Sequence, residues 1–251
     1  MIRIILSGCC GRMGQVLSRM IDEREDMTVV CGFDMCEATD GAFPIYASPD
    51  ACMQQADVVI DFSNSAVLNS LLPYCVSQKL PLVLCTTGFS EAQLVDLDEA
   101  AKQIPLFRSG NMSLGINVVM DFLRRTATLL GDDFDVEIVE RHHKKKLDAP
   151  SGTALMLADA VAEGLPHESD YIFERESRRQ ERNLKELGIS AVRGGTIVGE
   201  HTVIFAGHDE VIEITHKAYS REIFAKGALD AARYLAGKPA GHYNMSDMLQ
   251  A

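Results

Sequence analysis

Positive charge is scarce in this 251-residue chain: 24 Lys and Arg stand against 36 Asp and Glu, a formal net charge of −12. A chain of that balance is a poor general binder of nucleic acid or of an anionic membrane surface, so any anion it takes must be met by a local cluster of cations. No apolar run reaches 18 residues, which argues against a membrane-spanning helix. The apolar run at 2–6 is too short for a signal peptide, and a soluble, cytoplasmic protein is expected. No C-x-x-C occurs. The seven cysteines all fall between Cys9 and Cys85, an odd number that fits neither a disulfide framework nor a zinc knuckle and points to free thiols in a reducing compartment. No H-E-x-x-H occurs either, and adjacent His142 and His143 on a strand would point to opposite faces, so no metal is expected. Internal repeats and low-complexity tracts are absent.

What is present is an alternation of strands and helices. "IRIIL" (2–6), "MTVVCGF" (27–33), "DVVIDF" (57–62), "LPLVLCTTG" and "IPLFRSGN" read as buried strands. "RMGQVLSRMIDE" (12–23), "SAVLNSLLPYCVS" and "SEAQLVDLDEAAK" carry helical spacing, the last with Ser90 as its N-cap. This pattern predicts a doubly wound parallel sheet up to about residue 112. A long helix follows at 114–131, then the strand "DVEIVER" and the helix "GTALMLADAVAEG". Residues 165–187, rich in both signs of charge, read as a mobile or partner-facing excursion. "ISAVRG", "TIVGEHTVIFAG" and "DEVIEITHKA" read as an antiparallel meander, and "REIFAKGALDAARYLAGK" (221–238) as a helix returning to the first domain. The fold class is therefore α/β: a dinucleotide-binding Rossmann domain over 1–112 plus 221–251, and an α+β domain on an antiparallel or mixed sheet over 113–220.

Two segments carry chemistry. Gly8, Gly11 and Gly14 form G-x-x-G-x-x-G between a strand and a helix, and Asp34 ends the next strand twenty residues on. Such glycines let the backbone approach a pyrophosphate at a helix N-terminus, and the spaced acid accepts hydrogen bonds from the adenosine ribose. The bland alternative is a tight β–α turn with no ligand. The second segment, "ERHHKKKLDAPSGTAL" (140–155), gathers Arg141, Lys144, Lys145 and Lys146 in front of a helix that starts at Ser151-Gly152-Thr153. Its first-turn amides and the hydroxyls of Ser151 and Thr153 suit a carboxylate, while Lys and His supply charge and protons. Taken singly, each piece has a plainer reading: a solvated lysine face, a structural histidine, a helix cap.

"ERHHKKKLDAPSGTA" resembles the dihydrodipicolinate reductase family, whose pattern E-x-H-H-x-x-K-x-D-A-P-S-G-T-A it matches at every fixed position. The resemblance extends to "GCCGRMG", "TTGF" (86–89), "SGNMSLGIN" (109–117), "VRGGTIVGEHTVIF" (192–205) and "EITHKAYSR" (213–221), and so spans nearly the whole chain. It implies that His142 is catalytic and Lys146 the proton donor, and that His143, Ser151, Gly152 and Thr153 hold the carboxylates of a cyclic dicarboxylate. It implies a cofactor site from Gly8, Cys9, Cys10, Gly11, Arg12 and Met13, with Asp34, with Cys85, Thr86 and Thr87, and with Ser109, Gly110, Asn111 and Met112. Cys85 stands where the family commonly has glycine and Ser65 where it has proline, both matters of cofactor fit. The implied reaction is reduction of 4-hydroxy-tetrahydrodipicolinate in lysine biosynthesis, with closure between the domains orienting hydride and acceptor, in a homotetramer. Because Asp34 would repel a 2′-phosphate and is followed by Met35, Cys36 and Glu37, NADH is expected to be preferred over NADPH, with Arg12 the nearest cation for the latter. Cys9 or Cys10, ahead of a helix N-terminus, is expected to be a thiol that the cofactor protects. Another nicotinamide-dependent oxidoreductase, a His142–His143 metal module and a nucleic-acid binder remain the rivals.

Overall fold

In the computed structural model, residues 1–36 and 43–251 are described. Glu37, part of the expected negative charge after Asp34, lies outside them. In chain order the first elements are β1 (Ile2–Ser7), α1 (Arg12–Asp22), β2 (Met27–Phe33), β3 (Ile45–Tyr46), β4 (Val58–Asp61), α2 (Leu68–Gln78), β5 (Leu82–Leu84), α3 (Glu91–Ala101) and β6 (Pro105–Arg108). Next come α4 (Leu114–Leu130), β7 (Asp135–His142), α5 (Gly152–Ala162), β8 (Asp170–Ile172), β9 (Glu186–Arg193), β10 (Gly199–Ala206) and β11 (Val211–Ala218), and finally α6 (Glu222–Leu235), β12 (Gly241–Tyr243) and α7 (Met245–Leu249). The chain divides into two compact units, Met1–Ser113 with Arg221–Ala251, and Leu114–Ser220.

The first unit is built on a seven-stranded parallel sheet of order β12-β6-β5-β4-β1-β2-β3. Its central strands β1, β4 and β5 are short Val/Ile/Leu runs buried on both faces, as a sheet covered by helices on both sides requires. The strand order reverses between β1 and β4, and the loop after β1 opens at that crevice, where open α/β sheets bind ligands. On one face α1 and α6 pack Leu17, Ile21, Ala228, Leu229 and Leu235 against Ile4, Ile60 and Val83. On the other, α2 and α3 cover Ile5, Val59 and Leu82. The sequence pattern did not reveal β12, which adds a seventh strand beside β6. It is followed by a helix whose Asn244 and Asp247 form a reciprocal cap.

The second unit has a five-stranded mixed sheet of order β11-β10-β7-β9-β8, with α4 and α5 packed on it through Leu123, Ala127, Leu157 and Val161 against Ile138, Val203 and Phe205. The meander expected from sequence is half right. β10 and β11 form an antiparallel hairpin, but β7 lies between β9 and β10, pairing parallel with the first and antiparallel with the second. Local alternation reveals strands and hairpins but not which distant strand is inserted between them. The stretch 165–187, expected as a mobile or partner-facing excursion, contributes β8 and is tied to the neighbouring strands by ion pairs. Arg175 bridges Glu137 and Glu186, and Arg182 reaches Asp135 at 2.6 Å and the Val136 carbonyl at 3.0 Å. Arg178 also reaches Glu186, so three arginines of this stretch pair with Asp135, Glu137 and Glu186. Among the described residues, no helix is long and apolar enough to cross a membrane.

Candidate active site

In the second unit, β7 alternates buried and half-buried residues, which places Glu140 and His142 together on the buried face. Glu140 is fully buried and fully engaged. One carboxylate oxygen accepts from His142 Nδ1 at 2.6 Å and from Arg193 at 2.7 Å, and the other from Arg193 at 2.7 Å and from the Ser151 backbone N–H at 2.9 Å. Burial alone would raise its pKa. The hydrogen bonds from Arg193, His142 and Ser151 outweigh that, and the carboxyl sits below its ordinary range. A bidentate guanidinium is the group suited to compensating a buried carboxylate.

His142 is 8% exposed. Burial lowers its pKa more than the Glu140 contact raises it, and the charges of Lys146 and Arg193 lower it further. Although the Nδ1–carboxylate distance is that of an ion pair, the downward shift makes the imidazole neutral at neutral pH. With Nδ1–H donated to Glu140, Nε2 carries the lone pair. Gly199 on β10 leaves room beside it: a Cβ there would stand 3.1 Å from Nε2.

The turn from β7 to α5 is fixed at several points. Lys146 N–H donates to the His143 carbonyl, Arg193 donates to the Asp148 carbonyl at 2.6 Å, and the Ala149–Pro150 bond is cis. Ser151 caps α5, its Oγ accepting from the Ala154 N–H at 3.2 Å and meeting His201 Nε2 at 3.0 Å. Gly152 and Thr153 then occupy the first turn, whose positive dipole end suits a carboxylate. Lys146 Nζ pairs with Asp148 at 2.9 Å, holding that carboxyl below its usual range. His143 lies past the strand end, and its Nδ1 has no hydrogen-bond partner among the described residues. Glu140 thus joins His142 to the turn that carries Ser151, Gly152 and Thr153. Glu140, Arg193 and His201 complete the cluster and received no role from the sequence.

His201 is buried edge-on against His142, ring centroids 5.1 Å apart, and burial pushes its pKa down to about 4. An unfolded histidine binds its proton near pH 6.5, whereas the folded one does not until about pH 4, so the unfolded state binds more protons in between and stability falls on acidification. Between pH 7 and 5 this group alone should cost about 2 kcal/mol, at 1.36 kcal/mol per pH unit below its unfolded value. Urea unfolding at the two pH values measures it, and His201→Gln should flatten the slope. An unchanged slope in that variant would mean that other groups carry the acid sensitivity.

In the first unit, Gly8 adopts φ +78°, and a Cβ there would stand 2.7 Å from the Phe62 carbonyl oxygen. A Cβ on Gly14 would overlap the Gly8 carbonyl oxygen. The loop therefore lies flat, and α1 follows Gly11 as its N-cap residue, with no side-chain cap and no acid in its first turn. That end is open to an anion. A cavity of about 680 Å³ runs from Gly8, Cys10 and Gly11 to Asp34, Met35 and Ser63, and these residues fit a dinucleotide. Arg12 is exposed at the loop, whereas Cys9, Met13, Cys85 and Met112 turn their side chains into or against the core, so at these positions the backbone is what faces a ligand. Thr86 Oγ1 donates to Asp61 at 2.6 Å and Ser63 Oγ at 2.5 Å, so buried Asp61, another residue the sequence reading passed over, fixes two of the turns around the cavity. Thr87 follows on the same segment, and Ser109 and Asn111 brace each other in the turn that holds Gly110.

The expectation of seven free thiols is corrected. Cys10 and Cys36 are joined, Cα atoms 6.5 Å apart, and the other five are free. The loop and the end of β2 meet here because Cys10 N–H donates to Asp34 at 2.8 Å. Cys9, Cys10 and Asp34 also bring metal-ligand atoms within 4.8 Å of one another. The Cys10 sulfur is taken by Cys36, however, and both Asp34 oxygens accept backbone N–H groups.

Two family models match the chain: "Dihydrodipicolinate reductase, N-terminus" over residues 2–112 and "Dihydrodipicolinate reductase, C-terminus" over 115–249. A 4-hydroxy-tetrahydrodipicolinate reductase of Clostridium tetani is 47% identical over 251 residues, covering 100% of this chain and 98% of that one. One from Caldanaerobacter subterraneus subsp. tengcongensis is 48% identical over 250 residues, with 100% and 99% covered. Among solved structures, a dipicolinate-bound dihydrodipicolinate reductase from Paenisporosarcina sp. TG-14 superposes with a TM-score of 0.80 at 25% identity, covering 97% of each chain.

Proposed function

The chain belongs to the dihydrodipicolinate reductase family, and from that membership we infer that it reduces 4-hydroxy-tetrahydrodipicolinate to tetrahydrodipicolinate with a nicotinamide nucleotide, in the diaminopimelate route of lysine biosynthesis. The observation that carries the reading to specific residues is the buried carboxylate of Glu140, which ties the His142 ring to the turn bearing Ser151, Gly152 and Thr153. The test is loss of NADH absorbance with the freshly made condensation product of pyruvate and aspartate semialdehyde. A protein inert towards it but active on another amino-acid-like dicarboxylate would belong to the rival oxidoreductase reading.

On this reading, residues 1–112 with 221–251 hold the dinucleotide, and 113–220 hold the substrate and the oligomer contacts. The bound nucleotide supplies hydride. Gly152, Thr153, Ser151 and His143 receive the substrate carboxylates, and the ammonium of Lys146 gives a proton to the enamine carbon left by reduction. Neutral His142 presents Nε2 to the same substrate, with its ring orientation set by Glu140. Thr153→Val should raise the substrate KM several-fold with little change in kcat, because a contact made equally in ground and transition states is lost. Initial rates over a substrate series measure this. A fall in kcat at constant KM would take Thr153 out of carboxylate binding.

NADH is the favoured nucleotide on this reading. Asp34 ends β2 as a carboxylate beside the loop, and Met35, 84% exposed, offers no charge to a 2′-phosphate. The ratio of kcat/KM for NADH over NADPH should exceed one, shrink as salt rises, and move towards NADPH in Met35→Arg. A wild-type ratio below one would assign the site to Arg12 instead. A cytoplasmic homotetramer assembled through the mixed sheet completes the reading. It is supported by β11, whose alternate residues are exposed, Val211 to 60%; light scattering would measure the mass.

A further inference from the structure

We propose that Cys10 and Cys36 are a reversible oxidation site at the ribose end of the dinucleotide pocket; the inference rests on the dinucleotide reading of the Gly8–Gly14 loop. The two residues belong to the two elements between which an adenosine ribose must lie: Cys10 to the loop after β1, Cys36 to the turn two residues beyond Asp34. Their Cα atoms are 6.5 Å apart, within the separation a disulfide spans.

Of the loop's two cysteines only Cys10 is suited. Cys9 is 5% exposed, and burial together with the Asp34 charge pushes its thiol up to about 11, so it stays protonated and enclosed. Cys10 is half-buried and lines the cavity. A second close pair, Cys31 and Cys52, has sulfurs 3.1 Å apart, but Cys31 is fully buried within β2 and is shut off from an oxidant.

The chemistry balances with hydrogen peroxide as oxidant. The Cys10 thiolate attacks one peroxide oxygen, giving a sulfenic acid and, after proton uptake, water. The Cys36 sulfur then attacks the Cys10 sulfur and releases a second water. Two thiols lose two electrons, and peroxide gains them. A dithiol reverses the step by exchange.

In the linked state both oxygens of Asp34 are directed at backbone, Oδ2 to Cys10 N–H at 2.8 Å and Oδ1 to Met35 N–H at 2.7 Å. The bridge fixes that arrangement beside the cavity, so Asp34 cannot turn to meet the ribose hydroxyls. Reduction frees residue 36 to swing away and lets Asp34 accept from the nucleotide.

The experiment compares dithiothreitol-reduced protein with protein treated with a slight excess of peroxide. Peptide mapping reports the linkage, and NADH fluorescence reports affinity. The expected result is a Cys10–Cys36 linked peptide and NADH binding weakened roughly tenfold or more, the equivalent of one charged hydrogen bond, with recovery on reduction. Cys36→Ser should bind NADH as the reduced wild type does and be indifferent to peroxide. Absence of the linked peptide, or a linked protein that binds NADH as tightly as the reduced one, would overturn the inference. A reduced wild type that binds neither NADH nor NADPH would instead remove the dinucleotide reading, so the two failures are told apart.

Discussion

Lys146→Ala is expected to lose roughly a hundredfold or more in kcat with no change in NADH affinity. The lysine sits in the second unit, on a turn anchored by the His143 carbonyl and by Arg193, while the glycine loop belongs to the first. Its ammonium is held by Asp148 at 2.9 Å, a half-exposed ion pair that a dicarboxylate can displace at little cost. Removing the side chain therefore removes a proton donor without disturbing the buried network behind it. Stopped-flow single turnovers with saturating NADH isolate the effect. Near-normal turnover would take Lys146 out of the mechanism. Lys146→Arg should rescue charge but not proton transfer, since a guanidinium does not deprotonate at working pH.

Glu140→Ala should be the most damaging substitution for the second unit. Glu140 accepts from His142, from both terminal nitrogens of Arg193 and from Ser151 N–H, with no solvent to replace it. Taking one partner from a buried ion pair typically costs about 3–5 kcal/mol, because the remaining charge is left uncompensated. Urea unfolding of the full chain should show that loss. The isosteric Glu140→Gln keeps the volume and separates positioning from folding. At a temperature where it is folded, it should bind the dicarboxylate substrate with a KM near that of the wild type, yet lose kcat and shift the pH–rate profile, since the His142 ring is no longer held by a carboxylate. A Gln variant with wild-type kcat and pH profile would reduce Glu140 to a structural residue.

The parts of this arrangement that were legible in the sequence are the local ones. The glycine spacing, the acid at the end of β2, the Ser151 cap and the run from His142 to Thr153 each follow from periodicity, turn chemistry or a contiguous motif. What escaped was set by long-range pairing. Arg193 meets Glu140 only because β9 lies parallel beside β7, and His201 meets Ser151 only because β10 lies on the other side. The β7 alternation did carry one unused signal: residues 140 and 142 share a face, so a glutamate had to be buried beside the histidine. Cys36 shows the converse error. Cysteine counting treats an odd set without C-x-x-C as free thiols, but the meeting of the loop with the end of β2 brings together two cysteines 26 apart in the chain.

The return of the chain after residue 220 has a consequence for biosynthesis. Helix α6 supplies Ala225, Ala228, Leu229, Ala231, Ala232 and Leu235 to the core beneath β4, β5 and β6, and Gly227 admits the Met112 carbonyl so closely that any side chain there would overlap it. A ribosome that has made only the first 113 residues has thus released a sheet with one face covered by α1 alone. The whole second unit must emerge before its cover arrives. The inserted unit is continuous in sequence and can complete its own sheet first; the nucleotide-binding unit is the last to close. Nascent chains arrested between residues 113 and 221 are where holdase chaperones should be found waiting.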